Sequence, residues 1–93
     1  MASTQTWTIE FDLAARRELD KLDKPVANRI LKFLHQRVAR LDSPLQIGEK
    51  LQGALSSYWK YRIGDYRLIC SLEHARLVVL VLRVGHRSQI YSR

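Results

Sequence analysis

The sequence predicts an α+β fold: an N-terminal strand, two helices, then a three-stranded antiparallel meander completing one sheet, and a short C-terminal segment. Three observations predict it. Residues 7–11 alternate apolar and polar, residues 13–41 place apolar side chains at helical spacing, and from residue 58 onward strand-like runs alternate with tight turns. At 93 residues the chain makes a single domain, 1–93, with room for a modest core.

Trp7, Ile9 and Phe11 form the inward side of the first strand. Asp12 is placed to cap a short helix over Leu13–Leu22, whose apolar stripe is Ala15, Leu19 and Leu22. Arg16, Arg17, Glu18, Asp20 and Lys21 make its solvated side. Asp23 restarts the helix, with Pro25 in the first turn where no N–H is needed. Val26, Ile30, Phe33, Leu34, Val38 and Leu41 carry this second helix to about Leu41. His35 lies beside the stripe as a boundary side chain, with no second ligand at a metal-binding offset, so no metal site or cofactor is expected. Asp42-Ser43-Pro44 ends the helix, and Leu45–Ser57 reads as an irregular connector.

Tyr58–Arg67 reads as a tight hairpin around Gly64-Asp65, because Gly at the first central position suits a type II′ turn. A two-residue turn sets the register: Ile63 faces Tyr66, Arg62 faces Arg67, Tyr61 faces Leu68 and Trp59 faces Cys70. Alternation then gathers Trp59, Tyr61, Ile63, Tyr66, Leu68 and Cys70 on a core side, and Lys60, Arg62 and Arg67 on the other. The strand continues to about Leu72, and Glu73–Arg76 is a turn. Leu77–Leu82 is apolar without alternation, as in a strand covered on both faces. The helices lie on one face of the sheet; the sequence leaves open what covers the other. Gly85 ends the last strand, and a short turn or helix presents His86, Arg87 and Tyr91.

Sixteen basic against nine acidic residues give a net charge of +7. From Lys50 to Arg93 there are eight basic and two acidic residues, so this half carries six of those charges. The expected partner is a polyanion: RNA, DNA or an acidic protein. The cations sit in strand-like segments rather than along an amphipathic helix, which argues against a membrane surface. Residues 1–10 hold no signal-peptide pattern and no apolar run is long enough to span a bilayer, so a cytoplasmic location is expected. The single cysteine, Cys70, falls on the core side of the hairpin as a structural thiol.

Arg62 opposite Arg67, with Lys60 beside them, opposes the rule that like charges across a strand pair destabilise a sheet. The bland reading is a solvated basic face. The functional reading is that local stability is given up for a site. No acidic residue accompanies these cations unless Asp65 reaches round from the turn.

With hairpin and tail in place, the chain resembles the toxins of the RelE/ParE superfamily, on the RelE side. The likeness rests on the order of elements, on Lys50-Leu51-Gln52-Gly53, on Gly64-Asp65-Tyr66-Arg67-Leu68, and on Val84-Gly85-His86-Arg87 followed by Ile90-Tyr91. It implies a RelE-like fold and a ribosome-dependent mRNA endonuclease of a type II toxin–antitoxin system. The implied partners are mRNA on the ribosome, with 16S rRNA contacts, and a cognate RelB-like antitoxin, with DNA reached only through the antitoxin. Residue by residue, the resemblance implies Lys60, Arg62, Arg67, Arg87 and Tyr91 as the active set. Lys50 and Arg83 join them as RNA-binding residues. His86 stands where the family often has a basic residue; it is either a catalytic acid or base or a side chain one residue off the active face.

The implied reaction is attack of a ribose 2′-OH on the adjacent phosphorus, giving a 2′,3′-cyclic phosphate and a 5′-OH. Lys60 would be the base, if crowding by like charges favours its neutral form. Arg67 would stabilise the phosphorane and Arg87 the leaving oxygen, while Tyr91 would stack on a base. Two rivals stand beside it: a ParE-type DNA gyrase inhibitor without nuclease chemistry, and a non-catalytic basic RNA-binding module.

Overall fold

The computed structural model describes residues 6–40, 44–51 and 58–90. The chain runs β1 (Thr8–Phe11), α1 (Leu13–Asp20), α2 (Lys24–Phe33), β2 (Glu49–Lys50), β3 (Trp59–Ile63), β4 (Tyr66–Glu73) and β5 (Val78–His86). One five-stranded sheet has the order β1-β5-β4-β3-β2. The β3–β4–β5 meander is antiparallel as expected, while β1 joins β5 in parallel, Thr8 opposite Val78 through Phe11 opposite Val81, so the sheet is mixed. β5 is therefore an interior strand, consistent with its unbroken apolar run.

Asp12 caps α1 as expected, its Oδ2 accepting the Ala14 N–H at 3.2 Å. Asp23 precedes α2, with Pro25 in the first turn, but its side chain makes no capping bond. Both helices end earlier than the periodicity predicts. α1 stops at Asp20, and α2 passes at Leu34 into a wider π turn through Val38. The Ala39 N–H closes that turn on the Leu34 carbonyl at 2.8 Å, and the Ala39 carbonyl accepts the Trp7 N–H at 2.8 Å. The end of the helix is thereby tied to the start of β1. Leu41, the expected last helical residue, lies outside the described residues.

Ala15, Leu19, Ile30, Leu34 and Val38 from the helices pack on Tyr61, Leu68, Cys70, Val79, Val81 and Val84. Cys70 is fully buried, and burial raises its thiol pKa well beyond the physiological range, as suits a structural thiol. Tyr61 is also fully buried; burial above all raises its pKa, and its hydroxyl donates to the Pro44 carbonyl at 2.6 Å.

The segment expected to be an irregular connector contains a short 3₁₀ turn, Pro44–Gln46, and the two-residue strand β2. Gly48 lets it close over Tyr61: a Cβ there would lie 2.8 Å from the tyrosine ring. Pairing places Glu49 opposite Lys60 and Lys50 opposite Trp59. Two residues carry no periodicity of their own, so this strand is made by its partner and could not be read locally. β5 also runs past the expected stop at Gly85, because His86 still pairs with Tyr66.

Candidate functional site

The hairpin register matches the sequence reading at all five pairs, Trp59–Cys70 through Ile63–Tyr66. Gly64 adopts φ 60° while Asp65 stays out of the left-handed region, the pattern of a type II′ turn. Arg62 and Arg67 are therefore opposed across β3 and β4, with Lys60 two residues along on the same side.

The structure adds a carboxylate that the sequence reading lacks. Glu49, on β2, meets Lys60 at 3.1 Å. The hydrogen bond and charge of Lys60, followed by the charges of Arg62 and Arg67, hold the Glu49 carboxyl below its ordinary range. One exposed carboxylate thus feels all three hairpin cations, so the basic face has an acidic member besides Asp65, whose carboxylate stands by Arg87 at the turn.

Arg67 differs from its neighbours in depth. It is 8 % exposed, and its Nη1 donates to the carbonyls of Gly64 at 2.9 Å and Tyr66 at 3.0 Å. One edge of its guanidinium braces the turn. Arg62 is exposed.

Gly85 of β5 lies opposite Arg67, and the chain turns just beyond it. The Arg87 N–H donates to the Asp65 carbonyl at 2.7 Å, and its Nε stands 3.6 Å from the Asp65 carboxylate. Arg87 is thereby held against the hairpin tip. Ile90 folds back so that its side chain lies 3.5 Å from where a Gly85 Cβ would be, on the side Arg67 occupies. Arg62, Arg67 and Arg87 thus gather at the hairpin tip, with Lys60 further along β3 on the side of Arg62. Tyr91, like Gln52 and Gly53, lies outside the described residues.

Three other expected residues are not part of this gathering. His86 pairs with Tyr66, on the side of the buried Leu68 and Val84, and lines a cavity with Glu18, Lys21 and Leu22 beneath α1. Its ring meets Tyr66 edge-on at 5.6 Å, and its Nδ1 lies 2.8 Å from the Ser88 hydroxyl and accepts the Ser88 N–H at 3.1 Å. It faces away from Lys60 and Arg67. Arg83 donates through Nε to Glu18 at 3.0 Å, and the same carboxylate accepts the Val84 N–H at 2.7 Å. Since β1 ends opposite Val81, Glu18 covers the part of the β5 edge that β1 leaves open. Lys50 neighbours Trp59 and alternates away from Glu49, to the opposite side of the sheet. Among the described residues no cluster of three metal-ligating side chains occurs, and no helix is long and apolar enough to cross a membrane.

Residues 9–91 match a family profile described as ParE toxin of type II toxin–antitoxin system, parDE. Toxin RelG of Mycobacterium tuberculosis is 33% identical over 87 residues, spanning 94% of this chain and 98% of the relative. This chain belongs to the RelE/ParE family of type II toxin–antitoxin toxins. Its fold is RelE-like: the crystal structure of the toxin–antitoxin complex RelBE2 from M. tuberculosis matches with TM-score 0.83 and 29% identity, over 96% of this chain and 100% of that one. The intact E. coli RelBE toxin–antitoxin complex matches with TM-score 0.70 and 28% identity, over 86% and 95% of the two chains. In this RelE-like toxin Arg62, Arg67 and Arg87 stand around the hairpin tip.

Proposed function

We propose that this toxin is a ribosome-dependent mRNA endonuclease, held inactive by a RelB-like antitoxin. The observation that carries the reading is the opposition of Arg62 and Arg67 beside the Lys60–Glu49 pair, with Arg87 fastened to the same turn. Cations assembled against their mutual repulsion suit a phosphodiester whose charge must be neutralised while the neighbouring 2′-OH is deprotonated.

In this reading the scissile phosphate lies between Arg62 and Arg87 and competes with Glu49 for Lys60. The 2′-OH proton passes to Lys60 in its amine form, which the like charges of Arg62 and Arg67 favour and the Glu49 carboxylate opposes. The O2′–P bond forms as the P–O5′ bond breaks. Negative charge on the phosphorane oxygens is met by Arg62 and by the Arg67 donors not engaged at the turn. A guanidinium does not surrender its proton, so Arg87 supports the leaving O5′ by charge while water supplies the proton. The products are a 2′,3′-cyclic phosphate and a 5′-OH. Tyr91 stacks on a base next to the break. The toxin–antitoxin complexes of the RelE relatives support a RelB-like antitoxin as partner, and an acidic, partly disordered chain would suit the basic face by charge.

A second reading follows from the ParE profile: inhibition of DNA gyrase without chemistry. Inducing the toxin in a bacterium and labelling protein and DNA synthesis separately divides the two. The nuclease predicts early arrest of translation with cut mRNA; a gyrase inhibitor predicts DNA damage first.

A further inference from the structure

A groove of about 350 Å³ lies between α2 with its π turn and the tip of the hairpin. Its walls are Arg29, Lys32, Gln36 and Arg37 from the helix and Arg62, Ile63 and Gly64 from the hairpin, over Phe33. Four cations line it and no carboxylate does. Among the described residues none of the four makes a salt bridge. β2 covers β3 only at Trp59 and Lys60, so beyond Lys60 the strand edge opens toward this groove. The Arg29 guanidinium sits over the turn, 3.1 Å from where a Gly64 Cβ would be, and Arg37 stands 5.7 Å from the centre of the Phe33 ring. Gln36 and Arg37 belong to the π turn, a local widening that commonly marks a functional position in a helix.

We propose that this groove is a second RNA-binding site, which takes the phosphate backbone of the strand where it leaves the cleavage site. The inference rests on the reading of the basic face as an RNA-cleaving one, and Arg62 is the link, since it belongs to both surfaces. Three guanidinium groups and an ammonium suit phosphate oxygens, with the planar forks of arginine matching them two at a time. An acidic protein segment would also meet these charges. RNA is favoured because the groove continues from the place where a phosphodiester must already lie. Binding here is independent of base identity, because the groove's charged groups are all donors directed at phosphate.

The test uses the whole toxin and a labelled 12-nucleotide 2′-O-methyl RNA, which cannot be cut. Binding is measured over a range of salt, and mRNA cleavage is measured separately. For single strands the slope of log K against log salt changes by about 0.7 for each phosphate contact. Arg29→Gln with Arg37→Gln is expected to flatten the slope by about 1.4, to weaken binding alike for two unrelated RNA sequences, and to leave the circular dichroism spectrum unchanged. The single variant Lys32→Gln is expected to flatten it by about 0.7. Arg17→Gln with Lys24→Gln removes the same charge from exposed positions outside the groove and is expected to leave the slope near wild type. Equal losses in the two double variants would overturn the proposal. So would an equal loss of binding to poly-glutamate, which would make the groove a general anion or protein surface. The 2′-O-methyl strand reads binding alone, so a toxin that binds it through the groove yet cuts no mRNA would fail the nuclease reading without failing this one.

Discussion

Glu49 and Lys60 form a 3.1 Å ion pair across β2 and β3, on the side of the sheet that carries Arg62 and Arg67. The two-residue strand delivers a carboxylate to the stretch of face that carries Lys60, Arg62 and Arg67. Glu49 is held below the ordinary carboxylate range mainly by Lys60. Its folded pKa lies below its unfolded one, so the stability it contributes is present above the unfolded value and is lost as pH falls through the lowered folded value. Carbon-detected NMR titration should show the Glu49 carboxyl returning toward 4.5 in Lys60→Met. An unchanged titration in that variant would mean that the pair does not persist in solution.

Arg62 and Arg67 look equivalent in the hairpin register but should behave differently. Arg67→Ala leaves two turn carbonyls without their donor and is expected to cost about 1.5–3 kcal/mol by chemical denaturation. Arg62→Ala, at an exposed position, should stay within about 0.5 kcal/mol of wild type. Both should cut mRNA poorly, so loss of cleavage in Arg67→Ala is interpretable only beside its stability. Arg67→Lys keeps the charge but not the guanidinium, whose Nη1 donates to both carbonyls while its other N–H groups stay available to phosphate.

How much of this was legible in the sequence follows from where each residue gets its position. The two-residue turn at Gly64-Asp65 makes the hairpin register a local property, so the opposition of Arg62 and Arg67 could be read from alternation alone. Alternation gives a side, not a depth, and so it could not show that Arg67 is drawn down onto the turn. Glu49 lies eleven positions before Lys60 and comes beside it only because Gly48 allows the chain to close over Tyr61. No periodicity announces that contact. The groove cations had a fainter signal: positions 29, 32, 36 and 37 share one flank of a helix, which could have been noticed beside the apolar stripe. His86 turned on whether the strand ended at Gly85; its pairing with Tyr66 sends it to the α1 side.

That placement gives a contrast between neighbours. His86→Ala should retain mRNA cleavage near wild type, since its ring faces Tyr66 and Ser88 rather than the cations. Arg87→Ala should lower the cleavage rate by about a hundredfold, the order expected when one group that stabilises transition-state charge is removed. Single-turnover cleavage on programmed ribosomes measures both. A large loss in His86→Ala would move the proton chemistry to the other side of the sheet.

Packing around Tyr61 is the support on which β2 and Glu49 depend. Gly48→Ala would push a methyl group to 2.8 Å from the tyrosine ring and is expected to destabilise the toxin by about 1–3 kcal/mol. Tyr61→Phe loses the 2.6 Å bond to the Pro44 carbonyl, at a cost of about 1–3 kcal/mol because that buried oxygen is left without a donor. Thermal denaturation reads both, and near-wild-type stability in Gly48→Ala would show that the segment is not seated on the ring.

The central claim is that the cations at the hairpin tip surround a phosphodiester that is cut. Primer extension on mRNA after induction of the toxin, beside Arg62→Ala and Arg87→Ala variants of unchanged stability, tests it most directly. The account predicts new mRNA ends within open reading frames for wild type and their near disappearance in both variants. Undiminished ends in both variants, or growth arrest by wild type with intact mRNA, would contradict it.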